Sequence, residues 1–191
     1  MKKIILASAS PRRKELLEKI GLEFEVDPSN HREDTSSSLK PHDLAKSISR
    51  GKALAVASKH KSAIVIAADT FGVFKGKIIG KPNTEAEARK MLATLSGKSH
   101  LVITGFTIMD TETNKILSRS VETKVHIKRL TAEEIDAYVR SEEPLDKAGA
   151  YAIQGLGAAI VEKIEGDYFN VIGLPLYALT ESLKEFGIHV I

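Results

Sequence analysis

The sequence predicts an α/β protein with a mixed central sheet and flanking helices. Three observations carry that prediction. Apolar runs of strand length at residues 4–7 and 63–68 alternate with segments of helical period through the first half of the chain. The stretch 100–128 is strand-rich, with Val121, Thr123, Val125 and Ile127 in alternation. Tight hairpin turns occur beside the long crossovers that parallel strands need, so the sheet is mixed and not cleanly doubly wound. At 191 residues the chain is expected to form one domain, 1–191, either compact or drawn into two lobes around a cleft.

Each element follows from local chemistry. Residues 4–7 make a buried strand. Ser10 is placed to cap a helix over 11–20, with Pro11 at its first position. Leu16, Leu17 and Ile20 share its inner face, and Gly21 stops it. Leu22, Phe24 and Val26 alternate as in a half-buried strand. Residues 28–41 are polar, include Glu33, Asp34 and Ser36-Ser37-Ser38, and read as a loop. A helix over 43–59 turns Leu44, Ile48, Ala55 and Val56 inward. The unbroken apolar run 63–68 is a central strand covered on both faces and ending at Asp69-Thr70. A Lys75-Gly76 turn folds 73–79 into a hairpin.

Thr84 to Glu87 is a capping box for a helix to Leu95, with Gly97 after it. Strands over 100–109 and 115–128 flank a turn at 110–114. A second capping box, Thr131 to Glu134, opens a helix carrying Ile135, Tyr138 and Val139. Residues 144–173 are glycine-rich and end in a hairpin around Gly166-Asp167. The last helix covers 175–186, and a strand covers 188–191.

Composition removes several function classes. Lys and Arg number 28 against 25 Asp and Glu, and aromatics are 5% with no Trp. Neither the small excess of charge nor the few stacking side chains suits a nucleic-acid partner. There is no cysteine, which excludes disulfides, thiolate nucleophiles and Cys-ligated metal. The six histidines are scattered, without a HExxH or His-x-His pair. The apolar stretch near the start is too short for a signal peptide, and no run is long enough to span a membrane. A cytoplasmic protein is expected.

The chemistry concentrates at Ser8-Ala9-Ser10-Pro11-Arg12-Arg13, between a strand and a helix. Two arginines in the first helical turn have the wrong sign for the helix dipole. An anionic ligand resolves that conflict, because free N–H groups, hydroxyls and guanidinium forks make a phosphate cradle. On this reading Arg13→Ala weakens anion binding and leaves the helix no less stable. Asp69, directly after six apolar residues, suits either a catalytic carboxylate at a strand end or an ordinary capping residue. Lys52 after Gly51 is a candidate cation that also reads as a surface lysine, and Lys81 in Gly80-Lys81-Pro82 is a candidate cation on backbone that Pro82 stiffens. Gln154, in an apolar, glycine-flanked run, is a structural hydrogen bonder or a base reader. The segment Asp146-Lys147-Ala148-Gly149 reads as a turn. No Walker A or GxGxxG sequence is present, and nothing supports a protein nucleophile. Carboxylates and cations together suit metal-assisted hydrolysis of a phosphate ester or anhydride.

Several segments resemble the Maf family of nucleoside triphosphate pyrophosphatases, and within it the branch acting on dTTP and UTP. They are residues 6–17 (LASASPRRKELL), Ala68-Asp69-Thr70, Gly80-Lys81-Pro82, Leu95-Ser96-Gly97, residues 143–157 (EPLDKAGAYAIQGLG) and residues 171–176 (VIGLPL). The resemblance implies cleavage of dTTP and UTP, including modified pyrimidine forms, to monophosphate and pyrophosphate. It makes Asp69 the proton acceptor and gives Arg12, Thr70 and Gln154 the choice of pyrimidine. Ser8, Arg13, Lys52 and Lys81 then face the phosphates. A divalent cation, Mg²⁺ or Mn²⁺, falls to Glu33 and Asp69, with Asp69 either base or metal ligand. A homodimer is also implied. The competing expectation is a nucleotide-sensing regulator of cell division without turnover, since the family is linked to arrest of septum formation.

Overall fold

The computed structural model describes residues 2–32 and 38–191. Its strands are β1 (Lys3–Leu6), β2 (Glu25–Val26), β3 (Ala63–Phe74), β4 (Lys77–Ile79), β5 (Ser99–Asp110), β6 (Ile116–Ile127) and β7 (Val161–Glu165). Its α-helices are α1 (Pro11–Lys19), α2 (Pro41–Ala57), α3 (Glu85–Leu95), α4 (Ala132–Val139), α5 (Tyr168–Ile172) and α6 (Leu176–Leu183). The seven strands form one sheet in the order β2-β1-β3-β5-β6-β7, with β4 paired to β3. It is mixed, as expected: β1 runs parallel to β2 and β3, whereas β4 and β7 are antiparallel to their neighbours. Among the described residues no helix is long and apolar enough to cross a membrane.

The chain divides into two compact units. The first comprises residues up to Thr70, Thr104–Val121 and Gly173–Ile191; the second comprises Phe71–Ile103 and Glu122–Ile172. In the first, Ile5 and Ala7 of the β1 segment and Ala63, Val65 and Ala67 of β3 pack with Ala53, Val56 and Ala57 of α2. Ile4, Leu6, Ile64 and Ile66 alternate with them and are buried too, so both strands are covered on both faces. Gly105 lets β5 lie directly against α2, because a Cβ there would collide with the Ala45 backbone. In the second unit, Leu92 and Leu95 of α3, Val125 and Ile127 of β6 and Ile135 and Val139 of α4 share a core.

Local structure departs from the expectations at identifiable places. β3 does not stop before Asp69 but continues to Phe74. Its parallel pairing with β1 ends at Leu6↔Ile66, and its antiparallel pairing with β4 begins at Gly72. Asp69 and Thr70 occupy the interval between these two ladders. The strand at 22–26 shrinks to Glu25–Val26. Ser10 sits at the N-cap of α1 without a side-chain capping bond. The box at Thr84 is half formed: Thr84 accepts the Glu87 N–H, while the Glu87 carboxylate takes the backbone and side-chain N–H of Asn83. The box at Thr131 and Glu134 is complete.

The hairpin at Gly166-Asp167 is absent. β7 pairs with β6 instead, and Asp167 accepts the Phe169 and Asn170 N–H groups at the start of α5. The strand expected at 188–191 is also absent; Ile188 instead donates its N–H to Leu183 O after the last helix. A terminal apolar run needs a free strand edge to pair with, which hydropathy alone does not supply.

His100 gives the second unit a pH dependence. It is 3% exposed, its Nε2 lies 2.9 Å from the Tyr151 hydroxyl, and its Nδ1 has no hydrogen-bond partner among the described residues. Burial, with the charge of His126 adding to it, pushes the imidazole down to about 4 from its ordinary 6.5. The folded protein therefore holds His100 neutral, while the unfolded chain binds a proton below pH ~6.5. Stability from this residue is complete above that pH and is lost as the pH falls toward 4. The span is worth about 3 kcal/mol at ~1.4 kcal/mol per pKa unit. We expect urea unfolding at pH 7 and pH 4.5 to show a markedly smaller acid-side loss for His100→Gln than for the wild type. Equal losses would remove His100 from the account.

Candidate active site

In the first unit, β1 delivers Ser8 just past its carboxyl end and β3 delivers Asp69 and Thr70 just past its parallel ladder, the usual place for a ligand in an α/β sheet. The first turn of α1 adds Arg12 and Arg13, and α2 adds Lys52. Five of the expected site residues are brought together by direct contacts in two sets. Lys52 Nζ donates to Asp69 Oδ1 at 2.6 Å, with the two side chains 12% and 10% exposed. Arg13 forms the other set: Nη1 donates to Ser8 Oγ at 3.1 Å, Nη2 to Thr70 Oγ1 at 3.1 Å and Nε to the Gly173 carbonyl at 2.9 Å.

Arg13 is thus a clamp between the ends of β1 and β3 and the segment before α6. The expectation for Arg13→Ala considered only the helix, and these contacts outside α1 add a cost to the fold. The wrong-sign dipole is offset internally by neutral acceptors, and Arg13→Ala would remove one donor each from the Ser8 and Thr70 hydroxyls and the Gly173 carbonyl. Gly173 has φ +133, a conformation open to glycine, which fits its carbonyl to this junction. Arg12 is half-buried one residue earlier on α1. Lys14, the third cation of this turn, pairs with Glu18 at 3.6 Å.

Sequence reasoning missed three contributors. The Thr104 hydroxyl lies 2.9 Å from Thr70 Oγ1, and the Gly173 carbonyl accepts from both Arg13 and Thr70. Neither is chemically distinctive in a sequence. The third is His31, whose ring lies against Gly51, next to Lys52, so closely that any Cβ would strike it. A glycine inside an otherwise regular helix was the available signal. Glu33 and Asp34 lie outside the described residues.

Lys81 and Gln154 belong to the second unit. Lys81 is exposed and follows Gly80, whose carbonyl accepts the Gly149 N–H at 3.0 Å. The turn expected at Asp146-Lys147-Ala148-Gly149 is present as short 3₁₀ turns with Gly149 at φ +77. Gln154 is exposed on extended backbone before a 3₁₀ turn at Gly155–Ala159. Its exposure removes the buried structural amide as an explanation for its place in an apolar run.

A carboxylate sunk beside a lysine, next to hydroxyls ordered by an arginine, can bind anionic oxygens and accept a proton. Among the described residues no group of three or more His, Cys, Asp or Glu side chains could hold a metal ion by itself. The Asp69 carboxylate still fits a hard divalent cation of the kind bound through one or two carboxylates with substrate phosphates completing the shell.

Residues 3–186 match the family model described as Maf-like protein. A protein of Methanosarcina barkeri named dTTP/UTP pyrophosphatase is 50% identical over 191 residues, covering 100% of this chain and 97% of its own. One of Bacillus cereus with the same name is 49% identical over 190 residues, covering 100% and 93%. The solved structure of a HAM1 protein from Coxiella burnetii superposes with a TM-score of 0.54 at 18% identity, over 97% of this chain and 100% of that one, and so shares the fold.

Proposed function

Since the chain belongs to the Maf-like protein family, we infer that it hydrolyses dTTP and UTP to the nucleoside monophosphate and pyrophosphate. The observation that carries this is near-50% identity along the whole chain to proteins named for that activity. The Lys52–Asp69 pair provides the matching chemistry. Water attacks the α-phosphorus, the bond from that phosphorus to the bridging oxygen breaks, and pyrophosphate departs with the bridging oxygen.

Asp69 takes the proton of the attacking water, and Lys52 fixes the orientation of its carboxylate. Ser8, Arg13, Lys52 and Lys81 offset phosphate charge. Arg13 does so while holding Ser8 and Thr70 in place. Arg12, Thr70 and Gln154 read the pyrimidine. A divalent cation, Mg²⁺ or Mn²⁺, would be held by Asp69 and by Glu33 and would supply charge neutralisation and a lowered pKa for water bound to it. We place the protein in the cytoplasm, with its substrates, and as a homodimer on the family resemblance.

The test is product analysis. With dTTP and Mg²⁺ the purified protein should give dTMP and pyrophosphate in equal amounts, and orthophosphate only after inorganic pyrophosphatase is added. Binding without turnover would instead support the nucleotide-sensing regulator.

A further inference from the structure

The segment carrying Gln154 is held on both flanks by one carboxylate and one phenol. The Tyr138 hydroxyl accepts the Ala152 N–H at 3.1 Å and donates to Glu143 Oε1 at 2.8 Å. Glu143 Oε1 also accepts the Gly157 N–H at 2.9 Å, and Oε2 accepts the Leu156 N–H at 3.0 Å. Gly155 has φ +72, and a Cβ there would strike the Glu143 carboxylate, so both the turn and its approach to Glu143 require glycine. Apolar burial does not replace these anchors, since Leu156 is 61% exposed.

We propose that Glu143 is a positioning residue for base selection, acting with Tyr138 to fix both flanks of Gln154 and thereby the direction in which its amide meets the pyrimidine. The proposal rests on the reading of Gln154 as a base reader. An exposed glutamine on unanchored backbone would spend orientational entropy on every hydrogen bond it made, which weakens discrimination between bases. A carboxylate suits the anchoring role because it accepts several N–H and O–H donors at once. Burial pushes the Glu143 carboxyl up, but the Gly157 N–H, the Tyr138 hydroxyl and the Leu156 N–H outweigh it, with the Lys147 charge adding to them. The group therefore stays an anion at neutral pH.

The test compares Glu143→Gln, Tyr138→Phe and Gln154→Ala by kcat/KM for dTTP and CTP. Partial unfolding scales both nucleotides equally, so their ratio isolates positioning. Glu143→Gln should lower the dTTP-over-CTP ratio about ten-fold, the scale of a lost charge-assisted hydrogen bond, and Tyr138→Phe should lower it less. Combining Glu143→Gln with Gln154→Ala should cost the ratio nothing beyond Gln154→Ala alone. If Glu143→Gln fails to fold, Tyr138→Phe decides. An intact ratio in the Glu143 and Tyr138 variants, or an additive loss in the double variant, overturns the positioning role while the Gln154 reading stands. An intact ratio in Gln154→Ala overturns that reading and this inference with it.

Discussion

Asp69→Asn should turn over dTTP at least about 100-fold more slowly than the wild type, the scale of losing acid–base help at a reacting centre. The substitution keeps the size of the side chain and an oxygen for Lys52 to donate to, so the sunken site keeps its shape. It removes the charge and the basic lone pair. Taking one partner from a buried ion pair also leaves the other charge poorly compensated, so some loss of melting temperature accompanies the loss of rate. Circular dichroism at the assay temperature separates the two effects. A folded Asp69→Asn protein with more than half the wild-type turnover would return Asp69 to the role of a structural partner for Lys52.

The second large effect concerns the other arginine. Arg12 and Arg13 are neighbours in sequence, but Arg13 has its fork committed to Ser8, Thr70 and Gly173. Arg12 is a donor-only group, suited to the carbonyl edge of uracil or thymine. Losing such a hydrogen bond in a desolvated site costs about 1–3 kcal/mol, or roughly 5- to 150-fold in kcat/KM. Arg12→Ala should show that loss for dTTP and UTP and a smaller one for ATP and GTP. A uniform drop across all four nucleotides would make Arg12 a phosphate ligand instead.

The strands and helices with strong local signals were legible in the sequence. Residues 63–68 announced a strand covered on both faces, and Thr131 and Glu134 announced a helix start that the structure reproduces bond for bond. The candidate site was legible as residue types at motif positions: Ser8, Arg13, Lys52, Asp69 and Thr70 were each named, and the structure brings them into contact. Their partners were not legible. Arg13 pairs with Gly173, 160 positions away, and Glu143 with Leu156 and Gly157 through backbone N–H groups that every residue carries. Such pairings arise from topology, and periodicity over a short window holds no record of them. The hairpin expected at 73–79 is present, but its first arm continues the strand at 63–68 through Asp69 and Thr70, a continuity that the break in the apolar run concealed.

On the proposed mechanism, water activated at Asp69 attacks the α-phosphorus of a pyrimidine nucleoside triphosphate. Turnover of dTTP in oxygen-18 water, with the products read by mass spectrometry, locates the attack. One labelled oxygen is expected in dTMP and none in the pyrophosphate released beside it. Label in the pyrophosphate, with unlabelled dTMP, would place the attack on the β-phosphorus and contradict the mechanism assigned to this site.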